Sequence, residues 1–139
     1  MTRKEQREAT FELLFEREFR TEESAEEIFA LSTENREIDT VKEKYIKNTY
    51  FGVIEHKDEI DKLISEASNG WKVSRFSHAT RCAIRICVYE MLYNEDIPST
   101  VSINEAIELV KKFDDPKSRA FTNGVLNNIK NAIEKANEQ

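Results

Sequence analysis

Three basic side chains, Arg3, Lys4 and Arg7, stand within about one helical turn of each other near the start of the chain. Arg3 and Arg7 are four residues apart, so on a helix they share a face. Clustered donors of this kind suit phosphate oxygens, the sequence-independent part of nucleic-acid binding. Glu5 and Glu8 sit among them, and the same pattern also describes an ordinary solvated helix face. A second group lies at residues 117–126, Lys-Ser-Arg-Ala-Phe-Thr-Asn-Gly-Val-Leu. Here Lys117 and Arg119 flank an aromatic, Phe121. Phe121 is either a core residue on the apolar stripe or a face on which an unstacked base can lie. The Asn123-Gly124 dipeptide sits inside a helical pattern, and a glycine there commonly marks close approach of another backbone.

Other chemistries find little material. His56 and His78 are far apart and have no neighbour at ligand spacing, so no metal site is expected. Cys82 and Cys87, five apart on one helix, point roughly 140° apart round its axis and read as core thiols. The glutamates at 22–27 read as a solvated face. No nucleophile is spaced for activation by a base, so no catalytic residue and no cofactor is expected. The three glycines leave no phosphate-cradling loop.

The elements that carry these residues are helical nearly throughout. The chain has 139 residues and a formal net charge of −6, with 35% charged and 39% apolar residues, enough apolar material for one domain. Residues 21–43 carry eight acids against two bases and account for the whole net charge, so an anionic partner is compatible with the rest. Phe11, Leu14, Phe15 and Phe19 predict a helix over 3–20. Thr21 is expected to cap a thinly apolar helix at 22–34. Thr40 and Glu43 match a capping box opening a long helix that stops at Asn69-Gly70. Residues 79–93 are apolar nearly all round, the mark of a central bundle helix. Ser102 and Glu105 match a second capping box. Asp115-Pro116 is expected to start the last helix, and Arg85, Glu90 and Glu105 to form an inter-helix ion-pair network. The architecture expected is all-α: one compact domain, 1–139, of six or seven helices in two subdomains, about 1–70 and 71–139. No apolar run approaches the roughly 20 residues of a membrane span, and no signal-peptide core is evident, so a cytoplasmic protein with reduced thiols is expected.

Several stretches together resemble the NusB family of bacterial transcription antitermination factors. They are Ala83-Ile84-Arg85-Ile86 with Tyr89-Glu90, then Ile97-Pro98, Val101 through Val110, and Phe121-Thr122-Asn123-Gly124-Val125-Leu126. Arg7 to Phe15 fits the family's first helix. The resemblance implies an all-helical fold without catalysis. It implies binding to boxA, a single-stranded element of ribosomal RNA leaders, together with the ribosomal protein NusE, inside an RNA polymerase antitermination complex. It places RNA on Arg3, Lys4, Arg7, Lys117, Arg119 and Phe121, and the ribosomal protein near Arg75, Thr80 and Arg81. Glu5 and Gln6 interrupt a first helix that is arginine-dense in some relatives. Lys117 and Thr80 stand where some relatives have acids. The competing reading is a helical adaptor or homodimeric scaffold with little RNA affinity. A helical domain fused to an RNA methyltransferase is a third, disfavoured because no methyltransferase follows Gln139.

Overall fold

The computed structural model describes residues 1–138. Their regular structure is seven α-helices and one 3-10 turn, with no strand among the described residues. The helices are α1 (Arg3–Phe19), α2 (Ala25–Asn35), α3 (Lys44–Glu55), α4 (Lys57–Ala67), α5 (His78–Tyr93), α6 (Ser99–Phe113) and α7 (Ser118–Asn137). The 3-10 turn is Val73–Arg75. No described helix is long and apolar enough to cross a membrane.

The chain folds as two units, Met1–Glu55 and the remainder from His56. The boundary falls earlier than the Asn69–Ser77 stretch. The expected long helix breaks at His56, which leaves α3 in the first unit and α4 with α5 to α7. The His56 ring stacks on Tyr93, with ring centres 4.2 Å apart, and its carbonyl opens α4 by accepting from the Ile60 amide. Asp58 and Glu59 in the first turn of α4 favour a helix start there.

In the first unit α1 packs against α3 and α2. Phe11, Leu14, Ile28, Phe29, Ile46 and Tyr50 are buried. The Tyr50 hydroxyl donates to the Ala25 carbonyl at 2.8 Å, tying α3 to the start of α2. Burial pushes the Tyr50 phenol up to about 12. Two cap assignments in this unit differ from the sequence reading, and a third cap is absent from it. Thr2 caps α1 in a reciprocal box with Glu5: the Glu5 amide donates to Thr2 Oγ1 at 3.1 Å, and the Thr2 amide to Glu5 Oε1 at 2.8 Å. Ser24, rather than Thr21, caps α2. The Thr40–Glu43 box does not open α3, which begins only at Lys44. The Glu43 carboxylate instead accepts from the Met1 amine and the Gln6 side-chain amide. The Met1 ammonium holds the Glu43 pKa below the ordinary carboxylate value despite burial, and the Gln6 amide adds to this.

In the second unit α5 packs against α4, α6 and α7, as a helix apolar nearly all round must. The core gathers Ile60, Ile64, Ile84, Cys87, Val88, Ile103, Leu126 and Ile129. Both cysteines are buried and outside any disulfide. Ser102 lies inside α6 rather than capping it, because the helix already starts at Ser99 after Pro98. The Ser102 hydroxyl donates to the buried Glu90 carboxylate at 2.7 Å. Arg85 forks onto Asp61 of α4, with N–O distances of 2.9 and 2.8 Å. The Asp115-Pro116 turn is present, but α7 starts two residues beyond Pro116, at Ser118.

The segment joining α4 to α5 is held at both ends. Asn69 and Gly70 take left-handed conformations, with φ of 51° and 88°, as an Asn-Gly helix stop allows. The buried Ser68 hydroxyl donates to the Trp71 carbonyl at 2.8 Å. Further on, Arg81, 9% exposed, donates through Nη1 to the carbonyls of Val73 and Phe76 at 3.1 and 3.0 Å. Its Nη2 lies 2.9 Å from His78 Nδ1.

Two variants test this arrangement in thermal melts. Gly124 lies within α7, and a Cβ built there meets nothing within 4 Å, so no neighbouring backbone of this chain explains it. Gly124→Ala is expected to add roughly 0.5–1 kcal/mol through helix propensity alone. A lowered melting temperature contradicts an unobstructed, continuous α7. Arg81→Met keeps the apolar stem but strands two carbonyls, and is expected to cost at least about 2 kcal/mol. An unchanged melting temperature means the segment does not depend on the guanidinium.

Candidate nucleic-acid interface

The basic residues of α1 begin at its capped N-terminus, where the helix dipole adds partial positive charge. Arg3 and Lys4 are exposed. The Arg3 guanidinium carbon lies 4.6 Å from the centre of the Tyr45 ring, and that of Arg7 5.7 Å from it. The shared face expected from their spacing is therefore formed, and the Tyr45 ring is its floor. Arg7 is only 3% exposed, so it adds charge beneath the surface while Arg3 and Lys4 present theirs to solvent. The two residues that dilute the basic run have structural roles. Glu5 closes the capping box, and Gln6 joins Arg3 to Glu43: it accepts from Arg3 Nε at 3.1 Å and donates to Glu43 Oε2 at 2.6 Å.

In the second unit the start of α7 faces the segment before α5 across a cleft of about 330 Å³. Trp71, Arg75, Phe76, Thr80, Lys117 and Phe121 are among its lining residues. Phe121 is half-buried and meets Phe76 edge-to-face, with ring centres 5.2 Å apart, while Trp71 lies 6.0 Å from it. Phe121 packs on the core and also borders an open cleft. Lys117 and Arg119 are exposed beside it. The Lys117 amide donates to Asp115 Oδ1 at 2.9 Å, which fixes the turn that presents them.

The three residues expected at the ribosomal-protein surface separate in the structure. Arg75 is exposed and lines the cleft. Thr80 is 3% exposed, and its hydroxyl donates to Asp114 Oδ2 at 2.5 Å. Arg81 is turned to the carbonyls of Val73 and Phe76. Asp114 also accepts from the Ser77 hydroxyl, joining the end of α6 to the cap of α5. Burial pushes the Asp114 carboxyl up, but the Ser77 and Thr80 hydroxyls with the Asp115 and Thr80 amides outweigh it and leave it below its ordinary value. Its contribution to stability is therefore complete above the ordinary carboxylate range and lost as pH falls through the lowered value.

Trp71 and Phe76 line the cleft, and residue type and spacing do not single them out. A tryptophan placed directly after an Asn-Gly helix stop is the one signal the sequence offers. No group of His, Cys, Asp and Glu among the described residues is placed to hold a metal ion.

Comparison with known proteins gives one consistent result. The sequence model of the NusB family matches residues 4–131. The transcription antitermination protein NusB of Clostridium botulinum is 45% identical over 132 residues, covering 93% of this chain and 98% of the relative. That of Bacillus subtilis is 47% identical over 92 residues, 66% of this chain and 70% of the relative. Among solved structures, T. maritima NusB superposes with a TM-score of 0.86 at 34% identity, covering 94% of this chain and 92% of the other. A crystal structure of the antitermination factors NusB and NusE in complex with double-stranded RNA contains a chain that superposes at 0.82, with 28% identity and coverage of 94% and 96%. With its helices, its basic first turn and its Phe-Thr-Asn-Gly segment in place, this chain belongs to the NusB family.

Proposed function

We propose that this protein is a transcription antitermination factor of the cytoplasm that binds RNA together with the ribosomal protein NusE. Its RNA is single-stranded boxA of ribosomal RNA leaders, and the complex it forms serves RNA polymerase. The role is one of binding rather than catalysis. The observation that carries this reading is the cleft in the second unit. It combines aromatic faces with exposed cations, the two materials that single-stranded nucleic-acid sites use. Relatives named as antitermination factors, and a relative crystallised with NusE and RNA, support it.

The residue roles follow from exposure. Arg3, Lys4, Lys117 and Arg119 bind phosphates, and Arg7 reinforces the field of α1 from below. Phe121 offers its exposed part to a base. Arg75 meets the ribosomal protein or the RNA held with it, while Thr80 and Arg81 shape the surface on which Arg75 stands. The acids and amides of the first helix leave fewer exposed cations than an arginine-dense one, so affinity is expected to depend strongly on NusE.

Fluorescence anisotropy with a boxA-type RNA, a scrambled control, and NusE present or absent tests this at a series of salt concentrations. Tighter, sequence-selective binding with NusE is expected. Arg3→Ala and Lys4→Ala are each expected to weaken both RNAs alike and to reduce the salt slope by about 0.7 for every phosphate that the variant no longer neutralises. No selective binding under either condition contradicts the RNA reading and leaves the helical adaptor.

A further inference from the structure

We propose that Trp71 is the stacking platform for one unstacked nucleobase of the RNA, seated in the cleft between Trp71 and the start of α7. Phe76 and Phe121 form the floor of that seat, and the cations on its rim hold the flanking phosphates. The proposal rests on the RNA-binding reading above and adds to it a residue and a seat.

Four observations carry it. First, Trp71 is 55% exposed, a large aromatic surface left in water. Phe121, by contrast, has its ring engaged by Phe76 and is half-buried, so the larger free face is that of Trp71. Second, Trp71 is exposed but not loose. Its carbonyl accepts from the Ser68 hydroxyl, its amide donates to the Ser68 carbonyl at 3.2 Å, and Arg81 pins the carbonyls of Val73 and Phe76 just beyond it. With its backbone fixed, only the two side-chain torsions of the indole have to settle when a base lies on it. Third, the cleft, about 330 Å³, is at the small end of ligand-sized sites, room for a base but not for a helix. Fourth, the charges suit a polyanion. Arg75 and Lys117 line the cleft and are exposed, with Lys72 and Arg119 exposed near them in sequence. Asp115 is the one acid among the lining residues, and one of its oxygens already accepts the Lys117 amide. Asp114, nearby in sequence, has Oδ2 taken by the Ser77 and Thr80 hydroxyls.

Trp71 is the sole tryptophan of the chain, so its emission reports on this seat alone. The intact protein is titrated with boxA-type RNA while anisotropy and Trp71 emission are followed together. The titration is repeated with RNAs in which each nucleotide in turn is abasic. Binding is expected to quench Trp71, and one abasic position is expected to abolish the quench. Trp71→Ala is expected to weaken RNA binding roughly 5- to 150-fold with little change in melting temperature, and Trp71→Phe to restore most of it. Normal affinity with unmoved emission and a neutral Trp71→Ala overturns the seat but leaves the RNA reading standing. Absence of selective RNA binding by the unmodified protein, with NusE present, removes both. A 5-fluorotryptophan resonance at position 71 that responds to NusE and not to RNA also overturns the proposal, assigning the cleft to a protein side chain.

Discussion

A guanidinium cannot be buried without partners, and in the second unit that requirement organises everything around the cleft. Arg81 sits in the first turn of α5 with almost no exposure. Its donors are met by the carbonyls of Val73 and Phe76 and by the His78 ring. Meeting them fixes the path of the preceding segment, which turns Phe76 inward and leaves Trp71 and Arg75 outward. The cleft is what remains between that segment and the start of α7. Arg81 therefore decides where the residues that line the cleft stand.

The first unit shows a related economy. The first amides of α1 must be satisfied even though its N-terminus carries a basic cluster. Thr2 and Glu5 do this with a reciprocal box, which places an acid among the cations. Gln6 bridges Arg3 and the buried Glu43. What looks in the sequence like dilution of a basic surface is, in the structure, the support that orients it. Of its three basic residues only Arg3 and Lys4 reach solvent, while Arg7 is buried.

Periodicity makes the helices legible: α1, α5 and α7 lie within a few residues of where their apolar stripes put them. Helix starts are less legible, because a Ser/Thr-x-x-Glu pattern is common and tertiary partners compete for it. Glu43 is taken by Gln6 and the Met1 amine, and Ser102 by Glu90. The break at His56 has no proline or glycine at the position itself, the nearest being Gly52 inside α3; the ring stack with Tyr93 forms only in the fold. Of the site, the exposed cations and Phe121 can be read from residue type and spacing. The burial of Arg7, Thr80 and Arg81 cannot, since it depends on Tyr45, Asp114 and two loop carbonyls outside any simple helical pattern. Trp71 escapes a reading by residue type because an aromatic after a helix stop looks like any linker residue until the turn is seen to be pinned.

The proposed function requires that RNA engage the capped start of α1 and the aromatic cleft. Amide and indole chemical shifts of the uniformly labelled protein, followed as boxA-type RNA is added in the presence of unlabelled NusE, test this most directly. RNA-dependent shifts are expected at Thr2 to Lys4, at Trp71 to Arg75 and at Lys117 to Phe121. Shifts confined to the exposed face of α6, around Val101 and Glu108, with those three segments unmoved, would contradict it.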